Sequence, residues 1–182
     1  MKMLQAAGFA ILTDHLRQED EFNPNGYYEY EPVKALKSGD NAWLETAVGR
    51  VVKVVSPLLQ YLPSEYTYKV IFMQRDLAEV LASQARMLAG FQKSTSPEKE
   101  QSLQRVYRDH LTGIEQWMRQ QANLSFQAVD YNLLLSEPGG IVPELAGFLG
   151  RSLPIERMIA MIDPQLYRNR IANLAPSAQF PV

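Results

Sequence analysis

Arg75, Ser83 and Lys53 are the residues of this chain whose types and spacing offer chemistry. Arg75 follows the apolar run Val70–Met73 and precedes a helical pattern, so it stands where a buried strand gives way to a helix. Open parallel sheets bind ligands outside the carboxyl ends of their strands. A helix N-terminus there adds free N–H groups and a dipole that favours an anion. Guanidinium holds phosphate through two parallel N–H bonds. Ser83 lies eight residues on, about two helical turns, and its hydroxyl can donate to the same anion. The plainer alternative is an ion pair from Arg75 to Asp76 or to a loop carboxylate. Lys53 interrupts the run Val51, Val52, Val54, Val55. An unpaired ammonium inside a buried strand is costly, so Lys53 reaches an anion or solvent. An outward lysine on an edge strand is the alternative.

The elements that must position these groups alternate. The first seven residues read as a helix closed at Gly8, followed by a short buried strand at "FAILTD". Residues 19–31 form a polar and aromatic loop with a turn at Asn23-Pro24-Asn25-Gly26. Short helices are expected over 32–37, with Pro32 in the first turn, and over 40–47, capped by Asp40. "RVVKVVSP" and "KVIFMQ" read as fully buried strands. A helix is expected over 76–91, then a loop ending in the cap Ser96. A long helix over 97–122 carries the stripe Leu103, Val106, Tyr107, His110, Ile114, Trp117, Met118. "SFQAVDY" is a further strand, followed by a short helix, one closed near Gly150, one over 155–161 and a Pro-broken tail. Strand–helix alternation of this kind predicts an α/β sandwich with a mostly parallel sheet.

Composition narrows the classes. The 182 residues suit one domain with a real core, and 46 % apolar with 21 % charged residues is the ordinary profile of a folded domain. A net charge of −2 offers no basic face to nucleic acid or anionic lipid. The chain has no cysteine, which removes disulfides, thiolate metal sites and thiol catalysis and suits a reducing cytoplasm. No apolar run approaches the roughly 20 residues of a membrane span.

The segment "VIFMQRDLAEVLASQ" resembles the 3′-phosphate-binding segment of the sulfotransferase family: apolar strand, Arg, then Ser eight positions later. "VVKVVSPLLQYLP", "FQAVDYNLLLSEP", "NPNGYYEYEPVKAL" and "DPQLYRNR" resemble further segments in the same chain order, the last two those of a bacterial branch. The resemblance spans roughly residues 4 to 170. It implies a P-loop nucleotide-hydrolase-like three-layer sandwich and transfer of a sulfuryl group from 3′-phosphoadenosine 5′-phosphosulfate (PAPS) to a hydroxyl or amine, on a small-molecule or glycan-type acceptor. It assigns Arg75 and Ser83 to the cofactor's 3′-phosphate, Lys53 to the transferring oxygens and Tyr131 to the adenine. Arg168 and Arg170 would close over the phosphates. A core aromatic at Tyr131 and a solvated basic tail at Arg168 and Arg170 are the alternatives.

Relatives of that kind begin with a strand and a Pro-Arg-Ser-Gly-Thr-Ser-like loop that cradles the 5′-phosphosulfate. Neither is present, and Met1 falls inside the helix that should follow. A fragment, a start placed too late or a degenerate product would each give that opening. In any of them the sheet lacks its central strand and activity fails. Cytosolic members also place a histidine base where Val55 stands. Glu29 is the best candidate base, with Glu31 and His15 behind it, against the alternative of a solvated loop carboxylate. His110, on the stripe of the long helix, reads as packed helix edge.

Sulfuryl transfer is in-line and relies on positioning and charge stabilisation, as phosphoryl transfer does. No metal-ligand spacing is seen. Phe22, Tyr27, Tyr28 and Tyr30 either line an apolar acceptor pocket or pack their loop. Two competing classes stand beside the transferase. One is a non-catalytic nucleotide-binding or protein-interaction relative of the same fold. The other is a phosphate-loop kinase, for whose Mg²⁺ ligand only Asp130 partly fits.

Overall fold

The computed structural model describes residues 1–20, 23–90 and 97–166, apart from the side chains of 85–90, 97–100 and 166. The chain folds as mixed α/β, with helix α1 (Lys2–Ala6), strand β1 (Ile11–Leu12), α2 (Leu44–Ala47) and β2 (Val51–Val52) forming its first part. There follow β3 (Tyr68–Gln74), α3 (Leu77–Gly90), α4 (Pro97–Gln120), β4 (Leu124–Asp130), α5 (Tyr131–Ser136), α6 (Pro138–Leu149) and α7 (Ile155–Ala160). Two 3₁₀ segments, Glu31–Ser38 and Ser56–Tyr61, carry the links on either side of α2 and β2. Among the described residues no helix is long and apolar enough to cross a membrane.

Strand pairing corrects the expectation of one sheet. β1 pairs with β2 in parallel, Ile11 opposite Val51 and Leu12 opposite Val52. β3 pairs with β4 in parallel over seven residues, from Tyr68 opposite Leu124 to Gln74 opposite Asp130. The two pairs are separate two-stranded sheets. Between them lies a cavity of about 1100 Å³, lined by Val51–Val54 from one side and Lys69–Met73 from the other.

That gap explains why the valine run departs from its expected burial. β2 extends over Val51–Val52 alone, both half-buried, and Val55 is 56 % exposed. A strand with a partner on one side only, for two residues, cannot bury four valines. "FAILTD" likewise shortens to Ile11–Leu12. The helix expected over 40–47 is reduced to α2, and its first residues form turns in which Asp40 makes no helix cap.

β3 and β4 are better supported. Side chains alternate across the pleat, and helices cover both faces. Phe72, with half-buried Val70, Leu124 and Phe126, packs on Ile114 and Met118 of α4. Val129 and half-buried Ile71 pack the opposite way, with Leu134 of α5, Val142 and Leu145 of α6 and Met158 of α7. α1 joins this second cluster through Met3 and Ala7 and lies along α7. A third cluster, Leu12, Val33, Leu36, Trp43 and Leu44, holds β1–β2. Only the last third of the α4 stripe is core, since Leu103 is 37 % and Val106 61 % exposed. α4 therefore overhangs the strands it packs on.

Helix ends follow their sequence signals. Asp76 Oδ1 accepts from the N–H of Ala78 and Glu79 and opens α3, while Asp130 Oδ1 does the same for Asn132 and Leu133 and opens α5. Gly150 closes α6 at φ 72°, and a Cβ there would come within 3.3 Å of Lys69 Nζ. Lys69 needs that space, because its ammonium donates to the Phe148 carbonyl at 2.7 Å. Ser96 lies outside the described residues.

Candidate functional site

Register builds the first half of the site. Gln74 stands opposite Asp130, so the next residues, Arg75 and Tyr131, emerge side by side at the carboxyl ends of β3 and β4. The guanidinium carbon lies 5.1 Å from the Tyr131 ring centroid, a cation–π stack. Arg75 Nε also faces Glu79 Oε2 at 3.3 Å. Glu79 has no solvent exposure, and Arg75 keeps 23 % of its side chain exposed. The acidic partner of Arg75 is thus Glu79, one helical turn on, while Asp76 is spent on the cap. Ser83 is half-buried, a further turn along the same helix face as Glu79. Burial pushes the Tyr131 hydroxyl up, Arg75 pulls it down and Glu79 raises it again.

The second half stands at the end of β2. Lys53 Nζ donates to the Tyr27 carbonyl at 2.9 Å. Desolvation lowers its pKa, Glu29 opposes this, and Arg17 adds to it. Glu29 is half-buried, pairs with Arg17 at 3.4 Å, and its carbonyl accepts from Thr13 Oγ1 and from the Asp14 N–H. Arg17 lies over the Tyr27 ring, 3.3 Å from its centroid, and the Tyr27 hydroxyl donates to Asp20 at 2.6 Å. Burial raises the pKa of Tyr27, as does Asp20, and burial likewise raises that of Tyr28. Tyr27 and Tyr28 line the cavity, whereas Tyr30 packs edge-on against Trp43 in the β1–β2 core.

The structure brings Arg75, Glu79 and Tyr131 together, and separately Lys53, Glu29, Arg17 and Tyr27. Lys53 and Tyr131 border the same cavity. The other two candidate bases stand apart: Glu31 pairs with Lys34 at 2.6 Å on the exposed surface, and His15 is exposed with φ 57°. Arg168, Arg170 and Phe22 lie outside the described residues.

Two contacts escaped the sequence. Glu79 had one available signal, its i+4 spacing from Arg75. Ser56 Oγ meets His110 Nε2 at 2.9 Å and ties the 3₁₀ segment after β2 to α4. These residues are 54 apart in the chain, and only the tertiary fold joins them. Among the described residues no three His, Cys, Asp or Glu side chains gather to hold a metal ion. Chemically, the arrangement offers a guanidinium stacked on a phenol, an ammonium beside a carboxylate, and an apolar cavity between. Comparison with protein-family models, with curated proteins and with solved structures finds no match.

Proposed function

We propose that this chain is a sulfotransferase-like domain that binds the adenosine bisphosphate moiety of PAPS at the carboxyl ends of its strands. Its two parallel pairs would belong to a three-layer sandwich of the P-loop type, working in the cytoplasm, where a cysteine-free chain is at ease. The observation that carries this is the juxtaposition of Arg75 and Tyr131. A fixed guanidinium next to an aromatic face is what a phosphate beside a purine requires.

The residues present fit one end of that cofactor. Arg75 is oriented by the Nε–H contact to buried Glu79, and its fork would take the 3′-phosphate. Ser83 would donate its hydroxyl from the next turn, and the Tyr131 ring would flank the adenine. Arg168 and Arg170 belong to the same proposal. At the other end Lys53 would stabilise charge on the oxygens around the transferred group, and Glu29 would take the proton of a hydroxyl or amine acceptor. Tyr27 and Tyr28 would border that acceptor. When bound, the cofactor supplies the sulfuryl group itself. The described residues contain no 5′-phosphate cradle, so transfer by this chain alone is expected to be slow or absent.

A second reading, a non-catalytic nucleotide-binding relative, is favoured by one feature. Arg75 and Lys53 are already engaged, by Glu79 and by the Tyr27 carbonyl. Titration calorimetry with 3′,5′-adenosine bisphosphate tests both readings. Saturable binding that Ser83→Ala weakens and Arg75→Ala abolishes supports a nucleotide site. Arg75→Ala also removes a partner of the buried Glu79 carboxylate, so Arg75→Ala/Glu79→Gln is measured beside it. No saturable binding by the folded wild-type chain overturns both readings. Binding without sulfuryl transfer to a phenol or an amine favours the second.

A further inference from the structure

The nucleotide reading makes no use of Ser56 and His110, yet the two meet as reactive pairs do. Ser56 Oγ and His110 Nε2 stand 2.9 Å apart, and both side chains are half-buried. Most side-chain hydrogen bonds in folded proteins go to backbone or water. Here a hydroxyl is joined instead to an imidazole 54 residues away. A hydroxyl is a weak nucleophile until a neighbouring base takes its proton, and about 2.6–3.2 Å is the reach over which an imidazole does so. With the ring proton on Nδ1, Nε2 is an acceptor and the Ser56 hydroxyl donates to it.

Both groups are held by their surroundings. Ser56 opens its 3₁₀ segment, where extended chain at Val55 (φ −76°, ψ 140°) turns into helix, and Pro57 follows with its fixed φ. One turn on, Leu59 is buried and anchors the segment to Phe72, Ile114 and Met118. His110 precedes Ile114 by four residues on α4, so the cluster that seats Ile114 also sets the side of the helix from which the imidazole projects. Ser56 lines the cavity between the strand pairs. Val54, Leu59 and Leu111, near neighbours of the pair along the chain, line it too. A hydroxyl in the wall of an apolar cavity, with its base on an adjoining helix, suits a substrate with a polar reactive centre and an apolar body.

We propose that Ser56 and His110 are a nucleophile–base dyad that takes the acyl group of small apolar esters from this cavity and passes it to water. Ser56 Oγ attacks the ester carbonyl carbon and forms the new C–O bond, while its proton passes to His110 Nε2. The bond to the alcohol oxygen then breaks, and His110 hands the proton to the departing alcohol. The acyl group stays on Ser56. Water adds to that carbonyl and gives a proton to His110, the acid leaves, and Ser56 recovers its hydrogen. Val54, Leu59 and Leu111 hold the acyl chain. The dyad uses neither Arg75 nor Lys53, so it stands or falls apart from the nucleotide reading, and its test contains no nucleotide.

The probe is p-nitrophenyl butyrate, with the butyryl group located by peptide mass mapping after an acid quench. Such esters also acylate exposed lysines, so the reading is the group on Ser56 alone. The expected result is one butyryl group on Ser56, lost again once the ester is exhausted. It should form about a hundredfold more slowly in His110→Gln, a change that keeps a hydrogen-bonding side chain but removes the base. Three results overturn the proposal: no butyryl group on Ser56 at any time, equal acylation of Ser56 in folded His110→Gln, or a butyryl group that is never hydrolysed. Should circular dichroism show His110→Gln unfolded, Ser56→Cys decides the matter, because the chain has no cysteine of its own. A thiol beside the imidazole should react with iodoacetamide at neutral pH about tenfold faster than one introduced by Ser38→Cys on the exposed surface. An equal or slower rate overturns the proposal.

Discussion

The two strand pairs of this protein are built from similar residues and behave differently. β3–β4 pairs over seven residues, is covered by helices on both faces, and holds Phe72 and Val129 at 6 % and 1 % exposure. β1–β2 pairs over two residues, although its sequence, Ile, Leu and a run of valines, is at least as strand-prone. Strand propensity is thus a poor guide to ladder length. What differs is company: β3 has α4 behind it and α5–α7 in front, whereas β2 has one short neighbour and a cavity. The two halves also divide the site, with Arg75 and Tyr131 on the well-packed pair and Lys53 and Glu29 on the sparse one.

Core truncation should expose this contrast most strongly. Phe72→Ala is expected to cost about 3–5 kcal/mol in denaturant unfolding. Leu12→Ala, beside a ladder of only two residues, should fall at the low end of the ~2–5 kcal/mol range for such changes. Equal losses would mean that the pairs are equally consolidated. Arg75→Ala comes next, at roughly 3 kcal/mol, because it removes the Arg75 partner of a fully buried Glu79 carboxylate while Arg75 itself keeps some solvent. Arg75→Ala/Glu79→Gln should recover part of that loss, and no recovery would mean the pair is not coupled.

Asp130→Ala and Asp76→Ala each remove a cap and should cost about 1 kcal/mol in the same measurement. An effect far below that for Asp130 would show that register, not capping, holds Tyr131 beside Arg75. The smallest effect is pH-dependent. The Met1 ammonium is disfavoured in the folded chain, so its pKa falls below the unfolded value. Between the two the unfolded chain binds more protons. Stability therefore rises as pH climbs from the folded value towards about 8, and the penalty is fully present below the folded value. N-terminal acetylation should flatten that slope, and an unchanged slope would place the charge in water.

Much of the better-packed half was legible in the sequence. "KVIFMQ" and "SFQAVDY" are β-branched or aromatic runs bounded by caps, and Asp76, Asp130 and Gly150 mark helix ends by local hydrogen bonding alone. Arg75 could be placed at a strand end because the apolar run stops there. The sparse half was not legible. Val51–Val55 reads as a buried strand whether or not a neighbour exists, and only the tertiary fold reveals that, among the described residues, β2 pairs with β1 alone. Glu79 was passed over because Asp76, or a loop carboxylate, seemed sufficient for Arg75. Ser56–His110 joins segments that no local pattern relates.

The account turns on Arg75 and Tyr131 acting as one nucleotide-holding corner. Nuclear magnetic resonance of the labelled chain, titrated with 3′,5′-adenosine bisphosphate, addresses this directly. Saturable shifts at Arg75 Nε–H and the Tyr131 ring with one shared dissociation constant are predicted, with smaller shifts at Lys53. Shifts confined to exposed lysines such as Lys34 and Lys37, or no saturable shift at Arg75 and Tyr131, would contradict it.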